Sequence, residues 1–285
     1  MSRIAYVNGR YVPHRTASVH VEDRGYQFSD GVYEVCEVRG GHLVDARRHL
    51  DRLERSLSEL RIAMPMGRAA LMAVLREVVA RNGVKNGIVY LQATRGVARR
   101  DHAFPAPGTA PSLVVTARRA DMAAQERLAT VGVHVICVPE NRWPRVDIKT
   151  VGLLPNVLAK QQAKEAGARE AWFVDAEGHV TEGSSTNAWI VTGDGQIVTR
   201  PAESGILKGI TRAVVMEAAK ALGLVVVERA FTPQEAYAAR EAFITAASTL
   251  VMPVVEIDGH TIANGQPGSV ARELRQRFHD FSEVS

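Results

Sequence analysis

The chain has 285 residues, 46% of them hydrophobic and 23% charged, which is the balance of a folded globular protein and sets disorder aside. Its 35 Lys and Arg and 31 Asp and Glu are interspersed and sum to +4, which favours small anionic ligands and argues against a nucleic-acid-binding tail. The two cysteines, Cys36 and Cys137, have no metal-ligand spacing, the N-terminus lacks the apolar core of a signal peptide, and no stretch is apolar enough to span a bilayer. The expectation is therefore a cytoplasmic protein without a metal, membrane or nucleic-acid partner.

In chain order, IAYVNGRYV alternates apolar residues around Asn8-Gly9 and predicts a β-hairpin. ARRHLDRLERSLSELRI sets Leu50, Leu53, Leu57 and Leu60 on one helical face, and RAALMAVLREVVARNG repeats the pattern up to Gly83. GIVYLQATRG and SLVVTARR read as strands. Together these make a small α+β unit over residues 1–120, followed by a mixed-polarity linker around Arg119–Gly132. Residues 121–285 read as a larger α/β domain: strands at VHVICVPE, EAWFVD, TNAWIVTG and QIVTR, and helices at LLPNVLAKQQAKEAG and ITRAVVMEAAKALG. Thr232, Pro233 and Glu235 stand in capping-box order, Asp258-Gly259 marks a hairpin, and a charged helix from about Val270 closes the chain. There is no internal repeat.

Three places could carry chemistry. Lys149, in VDIKTVGLLPN, sits between Ile148 and Val151, where partial desolvation favours a neutral, nucleophilic amine; taken alone it also fits a lysine that snorkels at a strand end. Glu182 precedes the hydroxyl-rich turn Ser184-Ser185-Thr186-Asn187, and its carboxylate could accept from a protonated heteroaromatic nitrogen or simply be solvated. Gly209, Ile210 and Thr211 open a helix whose unpaired N–H groups suit phosphate, although an ordinary capped helix reads the same way.

The order Lys149, then TEGSSTN, then LKGITR resembles the fold-type IV family of pyridoxal-phosphate enzymes, and EDRGYQFSDGVYEV and HLDRLERS resemble its N-terminal motifs. The resemblance covers the whole chain and implies a two-domain fold-type IV architecture, α+β and α/β, with the second domain carrying the lysine. It implies pyridoxal 5′-phosphate as cofactor, bound to Lys149 as a Schiff base. Glu182 would meet the pyridinium nitrogen, and Arg52 with Gly209, Ile210 and Thr211 would hold the phosphate. Leu207 would pack on the ring, and Ser185 and Asn187 would line the cofactor. The family commonly has a threonine hydroxyl near the phosphate, where FITAASTL has Ala246 and Ala247 before Ser248; Ser248 or a backbone N–H would serve instead.

Members differ in how they hold the substrate. In TRGVARRDHAF the Arg-x-His of the D-amino acid aminotransferases falls on Arg100 and His102, and their tyrosine falls on Tyr33. A guanidinium, an imidazole N–H and a phenol satisfy one α-carboxylate and fix the Cα–H bond. The resemblance thus implies a homodimeric transaminase that moves the amino group of D-alanine and other D-amino acids to 2-oxo acids such as 2-oxoglutarate, with Arg100 and His102 supplied across the subunit interface. An (R)-amine transaminase or aminodeoxychorismate lyase on the same scaffold, or a silent binding protein, are the other readings. Arg95 and Arg99 are expected to be replaceable, and Trp143 resembles the family's aromatic residue near the lysine.

Overall fold

Asn8 and Gly9 both take positive φ, 44° and 92°, the backbone of a tight hairpin turn whose twist matches the flanking strands. They join strand β1 (Ile4–Val7) to β2 (Arg10–Pro13). The computed structural model describes residues 3–203 and 205–285. It divides into two units, the first being the chain up to Met122 with Ile148–Gly152 and Glu283–Ser285, the second Ala123–Asp147 with Leu153–Ser282.

In the first unit a short helix α1 (Arg24–Phe28) precedes β3 (Gly31–Arg39) and β4 (His42–Leu43). Helices α2 (Ala46–Glu59) and α3 (Arg68–Arg81) follow, then β5 (Gly87–Thr94) and β6 (Ser112–Arg119). The strands form one antiparallel sheet in the order β2-β1-β6-β5-β3-β4. Leu50, Leu53 and Leu57 of α2 and Leu71, Leu75 and Val78 of α3 pack in one core with Val89, Leu91 and Val115 of the sheet. Apolar spacing by three and four puts the first six on the inner helical faces, and alternation on β5 sends Val89 and Leu91 inward while Tyr90 and Gln92 face the other way.

Lys149, read from the sequence as part of the stretch 121–285, clusters with the first unit. The reason is backbone pairing: Tyr33 N–H donates to Lys149 C=O at 3.0 Å and Val151 N–H to Gly31 C=O at 3.1 Å, so residues 149–151 run beside the start of β3.

The second unit begins with α4 (Met122–Val131) and β7 (Val133–Pro139), then α5 (Leu154–Glu165), β8 (Glu170–Val174), β9 (Val180–Gly183), β10 (Asn187–Val191) and β11 (Ile197–Thr199). It continues with α6 (Ile210–Ala221), β12 (Val226–Glu228), α7 (Pro233–Tyr237), β13 (Glu241–Ala246), β14 (Leu250–Ile257), β15 (His260–Thr261) and α8 (Ser269–Arg277). The sheet runs β12-β11-β10-β13-β14-β7-β8-β9, with β15 on β14. Helix α5 makes the crossover between the parallel strands β7 and β8, and β10 is buried along its whole length. The capping box at Thr232 and Glu235 forms, each side chain meeting the other residue's backbone N–H.

The stretch 119–132, read as a linker, holds helix α4 instead. Its alanines favour a helix, and Arg275 of α8 grips Glu126 through Nε at 3.1 Å and Nη2 at 2.8 Å, a tertiary contact that composition does not announce.

The start of α8 depends on a buried carboxylate. Glu241 of β13 accepts from Val270 N–H and Ala271 N–H, both at 3.0 Å. A Cβ on Gly268 would stand 1.8 Å from Glu241 Cδ, so only glycine lets that carboxylate reach the helix. Gly268→Ala is expected to lower the unfolding free energy by about 2 kcal/mol, from overpacking and a displaced cap, as measured by urea titration; a wild-type midpoint would remove the capping role.

Candidate active site

Adjacent residues of a strand point to opposite faces, and β3 uses this at Tyr33 and Glu34. On one face, Lys149 Nζ donates to Tyr33 Oη at 3.3 Å and lies 4.3 Å from the centre of the Tyr33 ring. The Tyr33 ring sits 5.6 Å from that of Tyr90, whose hydroxyl donates to Gln92 Oε1 at 2.7 Å. The lysine is half-buried; its main-chain N–H donates to Ser56 Oγ on α2 at 3.5 Å. Backbone pairing to β3 and a main-chain contact with the Ser56 hydroxyl of α2 therefore hold the amine over a phenol.

On the other face, Glu34 is fully buried and accepts from Arg52 Nε and Nη2, each at 2.7 Å, with His49 Nδ1 also at 2.7 Å from Oε2. Burial pushes the Glu34 carboxyl up, but the charge and hydrogen bonds of Arg52, joined by His49, outweigh it and bring the pKa down to about 2. Arg52, expected at a phosphate, thus directs two of a guanidinium's five N–H groups to Glu34.

Arg100 and His102 are both exposed, and they share one neighbour. The Arg100 guanidinium lies 4.6 Å from the centre of the Phe28 ring, and the His102 ring is 5.5 Å from it. Arg99 is exposed. Arg95 is not the replaceable cation expected from the sequence: it is 7% exposed, binds Asp30 through Nε at 2.7 Å and Nη2 at 2.9 Å, and donates to the carbonyls of Leu60 and Arg61. Burial raises the Asp30 pKa, yet hydrogen bonds from Arg95 and Arg24 more than reverse this and hold it below the usual range.

In the second unit Glu182 is buried at the end of β9. Its Oε1 accepts from Arg142 Nη1 at 2.7 Å, its Oε2 from Asn187 Nδ2 at 3.1 Å, and Leu207 N–H approaches both oxygens at 3.2 Å. Asn187 Nδ2 also donates to Leu207 C=O at 3.0 Å, so Glu182, Asn187 and Leu207 form one closed cluster. Arg142 is the residue that sequence reading missed. It bridges Glu182 to Glu140, whose carboxyl burial raises but whose hydrogen bonds from Arg142 bring net below its usual range. Nothing in ENRWPRVDIK marks it, because its partners lie elsewhere in the chain.

Ser185 is exposed and donates through Oγ to Glu170 Oε2 at 2.8 Å. Glu170 is fully buried, also takes the Ser184 hydroxyl, and so fixes the turn; its one visible signal is a charge opening a wholly apolar strand. Gly209 is the N-cap of α6, with no side-chain cap, and Ile210 and Thr211 form its first turn. A Cβ on Gly209 would fall 2.1 Å from Asn187 Oδ1, so the helix N-terminus and the Glu182 cluster touch only because residue 209 is glycine. Ser248 is exposed on the turn between β13 and β14, where Thr249 N–H closes back to Ala246 C=O at 3.1 Å. Trp143 is 43% exposed, neither core nor tied to the lysine by a described contact.

The donors of each unit, taken separately, suit the parts of a phosphorylated heteroaromatic group. An uncapped helix start suits phosphate, a buried carboxylate backed by a guanidinium suits a protonated ring nitrogen, and a lysine held by a phenol suits covalent attachment.

The family model described as amino-transferase class IV matches residues 31–257. The D-alanine aminotransferase of Staphylococcus haemolyticus is 37% identical over 279 residues, covering 98% of this chain and 97% of that protein. That of Bacillus licheniformis is 40% identical over 268 residues, covering 94% and 93%. Among solved structures, a T.th. branched-chain amino acid aminotransferase with pyridoxamine 5′-phosphate superposes with a TM-score of 0.91 at 30% identity, covering 98% of this chain and 94% of that one.

The Glu34 cluster gives an acid-sensitivity test. A carboxyl whose folded pKa is about 2, against an ordinary 4.5, adds stability that is fully present above 4.5 and is lost as pH falls toward 2. That shift corresponds to about 3 kcal/mol. Glu34→Gln is expected to destabilise the protein by roughly that amount at neutral pH, with the gap to wild type closing through this window in urea unfolding. A gap independent of pH would show that Glu34 is not ionised by Arg52.

Proposed function

The chain belongs to the class IV amino-transferases, and from that premise we propose that it is a pyridoxal 5′-phosphate-dependent D-amino acid transaminase. It would move the amino group of D-alanine and other D-amino acids to 2-oxo acids such as 2-oxoglutarate, forming pyruvate and D-glutamate from that first pair. The observation that carries the substrate class is full-length identity of 37% and 40% to D-alanine aminotransferases, against 30% to the branched-chain enzyme that shares the fold. Arg100 and His102, two residues apart against the same aromatic ring, supply cationic and N–H groups of the kind an α-carboxylate needs.

The cofactor, when bound, supplies a conjugated electron sink for the bonds at the substrate's α-carbon. Lys149 would attach it covalently. Glu182 would meet the ring nitrogen, Leu207 the ring face, and Arg52 with the α6 start at Gly209, Ile210 and Thr211 the phosphate. Ser185, Asn187 and the Ser248 turn would border it. Arg142 keeps a permanent positive charge against Glu182, favouring the anion that a ring N–H donor requires.

Lys149 Nζ, once freed from the cofactor by the incoming substrate amine, would take the proton from the substrate α-carbon and deliver it to the cofactor carbon that had held the lysine, and Tyr33 Oη would orient that nitrogen. Tyr33, Arg100 and His102 would hold the α-carboxylate, which fixes which face of the α-carbon meets the lysine. The enzyme would act in the cytoplasm as a homodimer, with Arg100 and His102 serving the partner subunit's substrate. Among the described residues no helix is long and apolar enough to cross a membrane.

Lys149→Ala is expected to abolish covalent attachment of pyridoxal 5′-phosphate, assayed by borohydride trapping and mass spectrometry, and to cut D-alanine transamination by at least ~10²-fold. Retained activity would unseat the lysine. Arg100→Ala is expected to raise KM for D-alanine by about tenfold or more while covalent attachment of the cofactor stays intact, because it leaves a carboxylate short of its charged donor. A wild-type KM in steady-state kinetics would remove Arg100 from the site.

A further inference from the structure

The segment that carries Arg100 and His102 has no regular secondary structure from Ala98 to Pro111, and exposed side chains on such a segment need something to fix them. A buried arginine supplies it. Arg24, 3% exposed, opens the five-residue helix α1, with Phe28 four residues on and hence on the same helical face. Its Nη1 donates to Asp101 C=O at 2.6 Å and its Nη2 to His102 C=O at 3.5 Å. Its Nε is paired with Asp30 Oδ2 at 2.8 Å, and its guanidinium lies 4.8 Å from the centre of Phe28. That ring is the one against which Arg100 and His102 rest.

The surrounding contacts keep this clamp in place. Arg24 N–H donates to Gly96 C=O at 2.9 Å and Ala98 N–H to Glu22 C=O at 3.3 Å, so the loop is laced to the start of α1. A Cβ on Gly25 would stand 2.2 Å from Thr94 Cγ2, so the helix lies directly against the end of β5. Asp101 accepts from Ala103 N–H through Oδ1 at 3.0 Å, which makes it the turn residue between Arg100 and His102. Asp30 is shared with Arg95, whose guanidinium holds Phe104 at 3.8 Å to the ring centre, so one carboxylate ties down both ends of the segment 101–104.

We infer that Arg24 is a specificity-setting positioning residue: by holding the carbonyls of Asp101 and His102 it fixes the aim of Arg100 and His102, and so sets the affinity for substrates that carry an α-carboxylate. The inference rests on the reading of Arg100 and His102 as the carboxylate-holding pair. The task suits arginine. Its planar fork reaches a carboxylate and two separate carbonyls at once and stays charged at any working pH, which a lysine's single ammonium does not reproduce.

The test is steady-state kinetics of the cofactor-loaded enzyme with D-alanine and 2-oxoglutarate, for wild type, Arg24→Met, Arg24→Lys, Arg100→Ala and the Arg24→Met/Arg100→Ala double variant. Arg24→Met is expected to raise KM for D-alanine about tenfold with kcat within about twofold and cofactor content unchanged. The double variant is expected to be impaired by clearly less than the product of the two single effects, since Arg24 acts through Arg100 as well as through His102. If Arg24→Met does not fold, Arg24→Lys decides: a raised KM supports the role and a wild-type KM overturns it. Effects that multiply in the double variant, or a wild-type KM in Arg24→Met beside an impaired Arg100→Ala, overturn the inference alone. A wild-type KM in Arg100→Ala overturns the reading beneath it.

Discussion

The first unit positions its lysine by pairing residues 149–151 with the beginning of β3. Two main-chain hydrogen bonds, from Tyr33 N–H to Lys149 C=O and from Val151 N–H to Gly31 C=O, place the lysine where strand alternation has already turned Tyr33. The same alternation turns Glu34 to the opposite face, where Arg52 and His49 wait on α2. One strand thus presents a phenol to the amine and a carboxylate to the guanidinium, and a one-residue slip would exchange the two faces. Lys149 is held by backbone geometry, so its side chain stays available for chemistry.

Buried carboxylates recur, and four of them are held by convergent donors. Glu34 has Arg52 and His49; Glu182 has Arg142, Asn187 and Leu207 N–H; Glu170 has the hydroxyls of Ser184 and Ser185; Glu241 has two helix N–H groups. A buried charge left alone costs several kcal/mol, so these groups specify which elements must meet rather than merely filling space. The glycines beside them follow from the same need. Gly209 and Gly268 are small because Asn187 and Glu241 occupy the room a Cβ would take.

Local elements were legible because local physics makes them. The leucine period of α2, the Asn8-Gly9 turn and the Thr232–Glu235 capping box depend on residues within a few positions of one another, and the structure contains all three. Helix α4 was not legible: its stretch has a mixed composition, and part of what holds it is Glu126 meeting Arg275, 149 residues away. Arg95 misled for the same reason. In a run of cations it looked like surface, whereas Asp30, 65 residues away, draws it into the interior.

The sequence by itself determined the ordered motifs, with Lys149, the TEGSSTN turn and the LKGITR helix start among them, and with those the family. The tertiary structure alone decided which charge meets which. Arg52 finds Glu34 across 18 residues, Arg142 finds Glu182 across 40, and Arg24 finds the carbonyl of Asp101 across 77. Charged side chains carry no register of their own. Their partners are fixed only when strand pairing and helix packing bring distant backbone together, because only then does burial remove the water that would otherwise satisfy them equally well.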